Sequence, residues 1–304
     1  MIPIAAVIGA ATAVGFGAEH RWRRSAEAVA ARLMWTVLWV LMPFVAFFNV
    51  ASLHLTAQVG AGIAFGWIAT VLTIAVAWLV GSRLLRLPRS SVGTLMGTSA
   101  FGNTGYLGIP FTAALLGFGQ VGNAVAYDML VSTLLLITVG FSIGAGFGTV
   151  ADAPRERVAA FFLRNPPLVA TLLGLVAPAS LAPHVAVEVS RVVVIAILPI
   201  GFFAVGVTLA AEADRDRVRF PPPLTAPVAV AVLLKLLLPV GILFGLSTAF
   251  VDVPHAYLTQ AAMAAGINNL VVASEYGLDR RLAAAAIAWT TAIVVSVGVV
   301  VALL

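Results

Sequence analysis

The 304-residue chain has no cysteine, which excludes disulfides and thiolate metal sites. Charge is scarce as well. Asp, Glu, Lys and Arg make up 10% of the residues, where a soluble domain carries about a quarter. Lysine occurs once, at Lys235, and no polar stretch is long enough for a separate soluble domain. His20, His54, His184 and His255 are scattered without metal-ligand spacing, and no Gly-x-x-x-x-Gly-Lys-Ser/Thr phosphate loop is present. Neither a metal nor a cofactor is expected. What remains is apolar: 62% of residues are hydrophobic and the mean hydropathy is +1.08. Such a chain is an integral membrane protein, with the lipid bilayer as its solvent.

Apolar runs bounded by charge, Pro or Gly give ten candidate spans, at 2–18, 29–51, 59–81, 90–116, 122–147, 166–181, 185–210, 224–248, 254–276 and 281–303. The first and sixth stand near the lower limit of roughly 17 residues for a crossing helix. The first is read as a transmembrane helix, because its basic cluster follows it, whereas that of a cleaved signal peptide leads. Of the 17 basic residues, 15 fall in the loops after the odd-numbered spans. They are Arg21, Arg23, Arg24 and Arg32; Arg83, Arg86 and Arg89; Arg155, Arg157 and Arg164; Arg215, Arg217 and Arg219; and Arg280 and Arg281. Arg191 alone lies on the opposite side. Positive loops stay in the cytoplasm, so both termini should face outward from a cell (inner) membrane. The net charge of +5 follows this topology and gives no reason to expect nucleic acid.

Five spans in each half would orient the halves oppositely. The expected architecture is all-α: a first inverted repeat at 1–151, a cytoplasmic connecting loop at 152–165 and a second repeat at 166–304. Corresponding features agree with it. Span 2 has Pro43 followed by Phe47 and Phe48, and span 7 has Pro199 followed by Phe202 and Phe203.

Two spans are interrupted at their centres. The fourth contains Phe101-Gly102-Asn103-Thr104-Gly105-Tyr106-Leu107-Gly108-Ile109-Pro110, and the ninth contains Met263-Ala264-Ala265-Gly266-Ile267-Asn268-Asn269-Leu270. Gly and Pro break a helix there, and the freed backbone groups cannot be left facing hydrocarbon. Paired broken segments are the best sequence pointer to a binding site between inverted repeats. Asn103, Thr104, Gly105, Asn268 and Asn269 are therefore candidate substrate contacts, although the amides could also simply cap the broken ends. An amide can donate to a carboxylate, and a half-helix N-terminus favours an anion.

Lys235 sits about 16 Å deep in span 8 at 1.5 Å per residue, too deep for easy snorkelling. It is a candidate to counter an anionic substrate or to alternate between substrate and a proton; the alternative is structural pairing with Asp128 or with carbonyls near Pro239. Asp128 in span 5 is a candidate proton carrier, or else a solvated residue nearer the outer end. Asn49, Gln58 and Gln260 are expected near helix ends, and Glu275 and Asp279 in solvent. Thr290, Thr291 and Ser296 are read as satisfying helix backbone or holding helices together.

The Asn103 to Pro110 run, the stretch from Asn268 to Asp279 and Lys235 four residues before Pro239 resemble the auxin efflux carrier family in its bacterial branch. The resemblance extends over the whole chain. It implies a fold similar to the bile acid:sodium symporters, with a scaffold part, a transport part, and spans 4 and 9 crossing as broken helices. It also implies movement of small organic anions, auxin in plants and dicarboxylates such as malate or malonate in bacteria. The first crossover asparagine, which contacts the substrate carboxylate in plant members, maps onto Asn103. Plant members usually carry a proline near the second crossover, where this chain has Gly266-Ile267-Asn268-Asn269. The acidic and glutamine ligands of sodium symporters have no evident counterparts.

The expected function is a secondary transporter of small carboxylates working by alternating access, with Pro43, Pro110 and Pro199 as hinge candidates. A sodium-coupled organic-anion symporter and a non-transporting anion receptor are the alternatives. No Ser/Lys, Asp/Asp or His/Glu pairing suggests an enzyme. Homodimerisation is left open.

Overall fold

A computed structural model describes residues 2–53, 56–149, 166–216 and 221–303. The connecting loop 152–165 with Arg155, Arg157 and Arg164 lies outside these residues, as do His54, Arg217 and Arg219. The described chain is almost wholly helical. In order come α1 (Ile2–Trp22), α2 (Arg24–Ala51), α3 (Ala57–Leu84), α4 (Arg89–Ala100), α5 (Thr104–Leu116) and α6 (Phe118–Phe147). There follow α7 (Pro166–Val176), α8 (His184–Asp216), α9 (Ala226–Ala249), α10 (His255–Ala261), α11 (Asn268–Tyr276) and α12 (Arg280–Leu303). Helices α2, α3, α6 and α9, with His184–Thr208 of α8 and Arg280–Val301 of α12, are long and apolar enough to cross a membrane. Helices α5 and α7 are shorter apolar segments.

Local sequence sets the ends. The Thr56 hydroxyl accepts from the Val59 amide and caps α3, and Pro227 stands in the first turn of α9, where no N–H partner is required. Gly277, in the left-handed conformation at φ 67°, closes α11. Pro199 is accommodated inside the continuous α8. Pro43 follows a π-helical turn at Val37–Leu41, and Pro110 follows another at Thr104–Gly108.

Without a hydrophobic force between helices in lipid, close packing depends on small residues. A β-carbon on Gly15 would strike the Phe203 carbonyl, and one on Gly206 would strike the Thr12 carbonyl, so α1 and α8 meet backbone to backbone. Gly174 of α7 faces the Phe47 carbonyl of α2 in the same way. Helices α1, α2, α7 and α8 pack chiefly on one another. A second core joins α3, α4, α9, α10, α11 and α12 around Leu95, Tyr257, Leu243 and Ala286. Between the two groups, Val45 and Val50 of α2 meet Val121 and Val125 of α6, all buried.

Asp279 departs from the expectation of a solvated residue. Its Oδ1 accepts from the Leu282 amide at 3.0 Å, capping α12, while its Oδ2 accepts from the Ser91 hydroxyl at 2.7 Å. Its own N–H donates to Thr94 Oγ1 at 3.0 Å. One carboxylate thus ties the start of α12 to the start of α4. Asp279→Ala should lower stability by about 1–3 kcal/mol, a lost cap plus a stranded Ser91 hydroxyl. Thermal unfolding in detergent, compared with the milder Asp279→Asn, reads that loss.

Candidate functional site

The two interrupted segments cross each other. The helices end at Ala100 and at Ala261, and the short stretches between α4 and α5 and between α10 and α11 pair as an isolated antiparallel bridge, Gly102 with Ala265. The Asn103 amide donates to the Ala264 carbonyl at 2.7 Å, and the Gly266 amide donates to the Phe101 carbonyl at 2.9 Å. The Ala265 amide donates to Thr290 Oγ1 of α12 at 3.0 Å. Backbone groups released by each break are satisfied by the other break, which is the condition for non-helical chain at membrane depth. Approach this close requires glycine: a β-carbon on Gly266 would stand 2.8 Å from the Gly102 oxygen. Asn269 reinforces the crossing, its side-chain nitrogen donating to Phe101 O at 3.0 Å and Gly266 O at 2.9 Å.

A cavity of about 200 Å³ lies against the crossing, its polar wall made by Asn103, Thr104, Gly105, Asp128 and Asn268, with Asn269 at its edge. Asn103, Thr104 and Asp128 are 6%, 3% and 4% exposed. The Thr104 hydroxyl donates to the Asp128 carboxylate. Gly105 leaves room for that carboxylate, since a β-carbon there would lie 3.1 Å from Asp128 Oδ2. Asn103 Oδ1 accepts weakly from the Leu107 amide at 3.4 Å, capping α5. Its amide nitrogen has no partner among the described residues, nor has the exposed side chain of Asn268. The N-terminal ends of α5 and α11 both open on this space. Each such end carries about half a positive charge, and together with the free amides they form an anion-accepting wall.

Three π-helical turns, Val37–Leu41, Thr104–Gly108 and Asp128–Thr133, contribute lining residues. Such turns re-aim side chains and recur at functional sites. Through them Leu38, Tyr106, Ser132 and Thr133 reach the cavity, none of which the sequence reading singled out. Ser132 stands four residues after Asp128, a same-face spacing that could have marked it.

Other candidates fall elsewhere. Lys235 is 1% exposed but does not line the cavity; its Nζ donates to the Ala261 carbonyl at 3.2 Å, and it pairs with neither Asp128 nor a carbonyl near Pro239. Pro43, Pro110 and Pro199 are likewise outside the lining. Asp128 is buried rather than solvated. Gln260 is the penultimate residue of α10, near a helix end as expected, and is fully buried with its amide against Gly108 of α5. Among the described residues no three of His, Asp and Glu gather into a metal site.

A family model described as membrane transport protein matches residues 1–150 and 156–301, nearly the whole chain. The chain belongs to this family, that of the auxin efflux carriers. As a member, it is a multi-pass membrane transporter whose partners are a small-molecule substrate and lipid. Comparison with curated proteins gives no match. Both segments that form the crossing fall inside the matched residues, so the family's resemblance to this chain includes the cavity wall.

Proposed function

We propose that this transporter moves small mono- or dicarboxylates, of the malate or malonate class or auxin-like acids, by alternating access at the crossing. The observation that carries this is the pair of half-helix N-termini with unpartnered Asn103 and Asn268 amides on one cavity. At about 30 Å³ per water, the 200 Å³ space holds the volume of six or seven waters, enough for a small acid. Thr104 and Asp128, bonded to each other beside the same wall, are placed to couple a proton to the substrate.

The same reading includes ten spans as two inverted repeats, 1–151 and 166–304, joined by the loop 152–165. The antiparallel pairing of the two breaks supports it, since segments related by inversion meet in opposite directions. The arginine pattern supports both termini outside the cytoplasm, in an inner membrane. With α1, α2, α7 and α8 as the scaffold, the cavity reaches Leu38 of α2 and Pro167 at the start of α7. That arginine pattern assigns Pro167 to the cytoplasmic side, and the packed valines of α2 and α6 close the opposite side. This is an inward-facing state, and Pro43, Pro110 and Pro199 are its proposed bends.

Uptake of radiolabelled carboxylates into proteoliposomes, wild type against Asn103→Ala, is the test. A lost hydrogen bond to a charged group is worth about 1.5–3 kcal/mol, so saturable uptake should fall at least about tenfold with folded protein still present. Uptake and affinity unchanged by the substitution would remove the crossing as the site. Binding without flux in the wild type would make the protein a receptor.

A further inference from the structure

Lys235 projects from α9 to the crossing without joining the cavity lining. Its Nζ donates to the carbonyl of Ala261, the last residue of α10. Its Nζ and Cε both come within 3.4 Å of the point where a β-carbon on Gly102 would stand, two residues past the end of α4. The side chain therefore touches the chain at the C-terminal ends of two half-helices at once. No carboxylate forms an ion pair with it among the described residues. Each C-terminal end carries about half a negative charge, so the two ends together present about one, and one ammonium neutralises it. The acceptor that meets Nζ is a backbone carbonyl, that of Ala261. Such an oxygen suits an N–H donor and leaves the lone pair of an uncharged amine without a partner.

We infer that Lys235 is a built-in cation. Its ammonium fills the place at the broken helices where unwound carbonyls of ion-coupled transporters coordinate an alkali cation. Because it is tethered to α9, this charge cannot leave with substrate. It holds the crossing together in every state and makes a sodium ion there unnecessary. Lys235 is thus a positioning residue for the crossing and makes no contact with substrate. The consequence for coupling rests on the transport reading; the consequence for stability does not.

Lys235→Ala leaves a channel the size of an alkyl chain, which an added primary amine can refill. Thermal unfolding of the purified variant should fall well below wild type and recover with propylammonium but not with propanol, which fills space without charge. Lys235→Met, similar in volume and uncharged, should be destabilised and should not respond to the amine. Equal recovery with amine and alcohol, or a Met variant as stable as wild type, overturns the inference. Should neither variant yield folded protein, the wild type decides. Its unfolding temperature and its carboxylate uptake should be the same in sodium, potassium and N-methylglucamine. Stabilisation or flux specific to sodium overturns the inference. Sodium-independent stability combined with absent carboxylate flux leaves the built-in cation standing and removes the substrate reading instead.

Discussion

Gly266→Val is expected to abolish substrate binding and transport and to destabilise the folded protein. The β-carbon would stand 2.8 Å from the Gly102 oxygen, 3.0 Å from the Gly102 carbonyl carbon and 3.4 Å from the Asn103 amide nitrogen. All three are backbone atoms, and the last is already held by the Ala264 carbonyl at 2.7 Å. None can swing aside as a flexible side chain would. The two crossing segments must separate, breaking the bridge and displacing Asn103 from the cavity wall. Overpacking costs about 1–3 kcal/mol, and the hydrogen bonds lost in an environment without water add to it. Gly266→Ala should show the same defect at smaller amplitude. Gly241→Ala is the control: nothing lies within 4 Å of its β-carbon position on α9, and alanine is the better helix former. Unfolding temperature and ligand-induced stabilisation, measured together on the three variants, read these effects. Normal binding by Gly266→Val would mean that the close pairing of the breaks is not needed for the site.

Asp128→Asn is expected to remove proton-driven accumulation of substrate while leaving exchange. The carboxylate faces Gly105 and accepts from Thr104. An asparagine oxygen can accept the same bond, so the wall keeps its shape and loses only the charge and the capacity to take up a proton. In proteoliposomes with an imposed pH gradient, uptake of labelled carboxylate above equilibrium should be lost, because the asparagine side chain takes up no proton. Counterflow of labelled against unlabelled substrate at equal pH should persist. Undiminished gradient-driven uptake by Asp128→Asn would take the proton away from this residue.

The breaks were legible in the sequence because glycines, a proline and amides inside an apolar run leave few other readings. The structure ends α4 at Ala100 and α10 at Ala261, in both cases just before the interrupted motif begins. Asn103, Thr104, Asp128 and Asn268 were legible because a polar side chain inside an apolar run must face protein or a cavity. The distribution of tasks among them was not. Asn268 and Asn269 are adjacent and chemically identical, yet Asn269 holds the crossing through Phe101 and Gly266 while Asn268 stays free. Only the direction of the chain after the break separates them. Thr133, five residues after Asp128, was not legible because the π-helical turn carries it off the 3.6-residue period that sequence reading assumes, whereas Ser132 keeps the same-face spacing. Lys235 stands out in the sequence as the one lysine inside an apolar run, but its position along α9 carries no information about which part of the crossing it meets. Asp279 reads as solvated because it flanks a cytoplasmic helix end, whereas its partners Ser91 and Thr94 lie far away in sequence.

The central claim is that the cavity at the crossing holds a small carboxylate on the N-terminal ends of α5 and α11. Its most direct test is the unfolding temperature of purified protein across a panel of mono- and dicarboxylates, with Asn103→Ala in parallel. A ligand that binds only the folded state stabilises it by about 2.7 kcal/mol at one hundred times its Kd. The account predicts a selective rise with one or a few acids that disappears in Asn103→Ala, although that variant unfolds cooperatively on its own. No rise with any carboxylate, or an equal rise in both proteins, would contradict it.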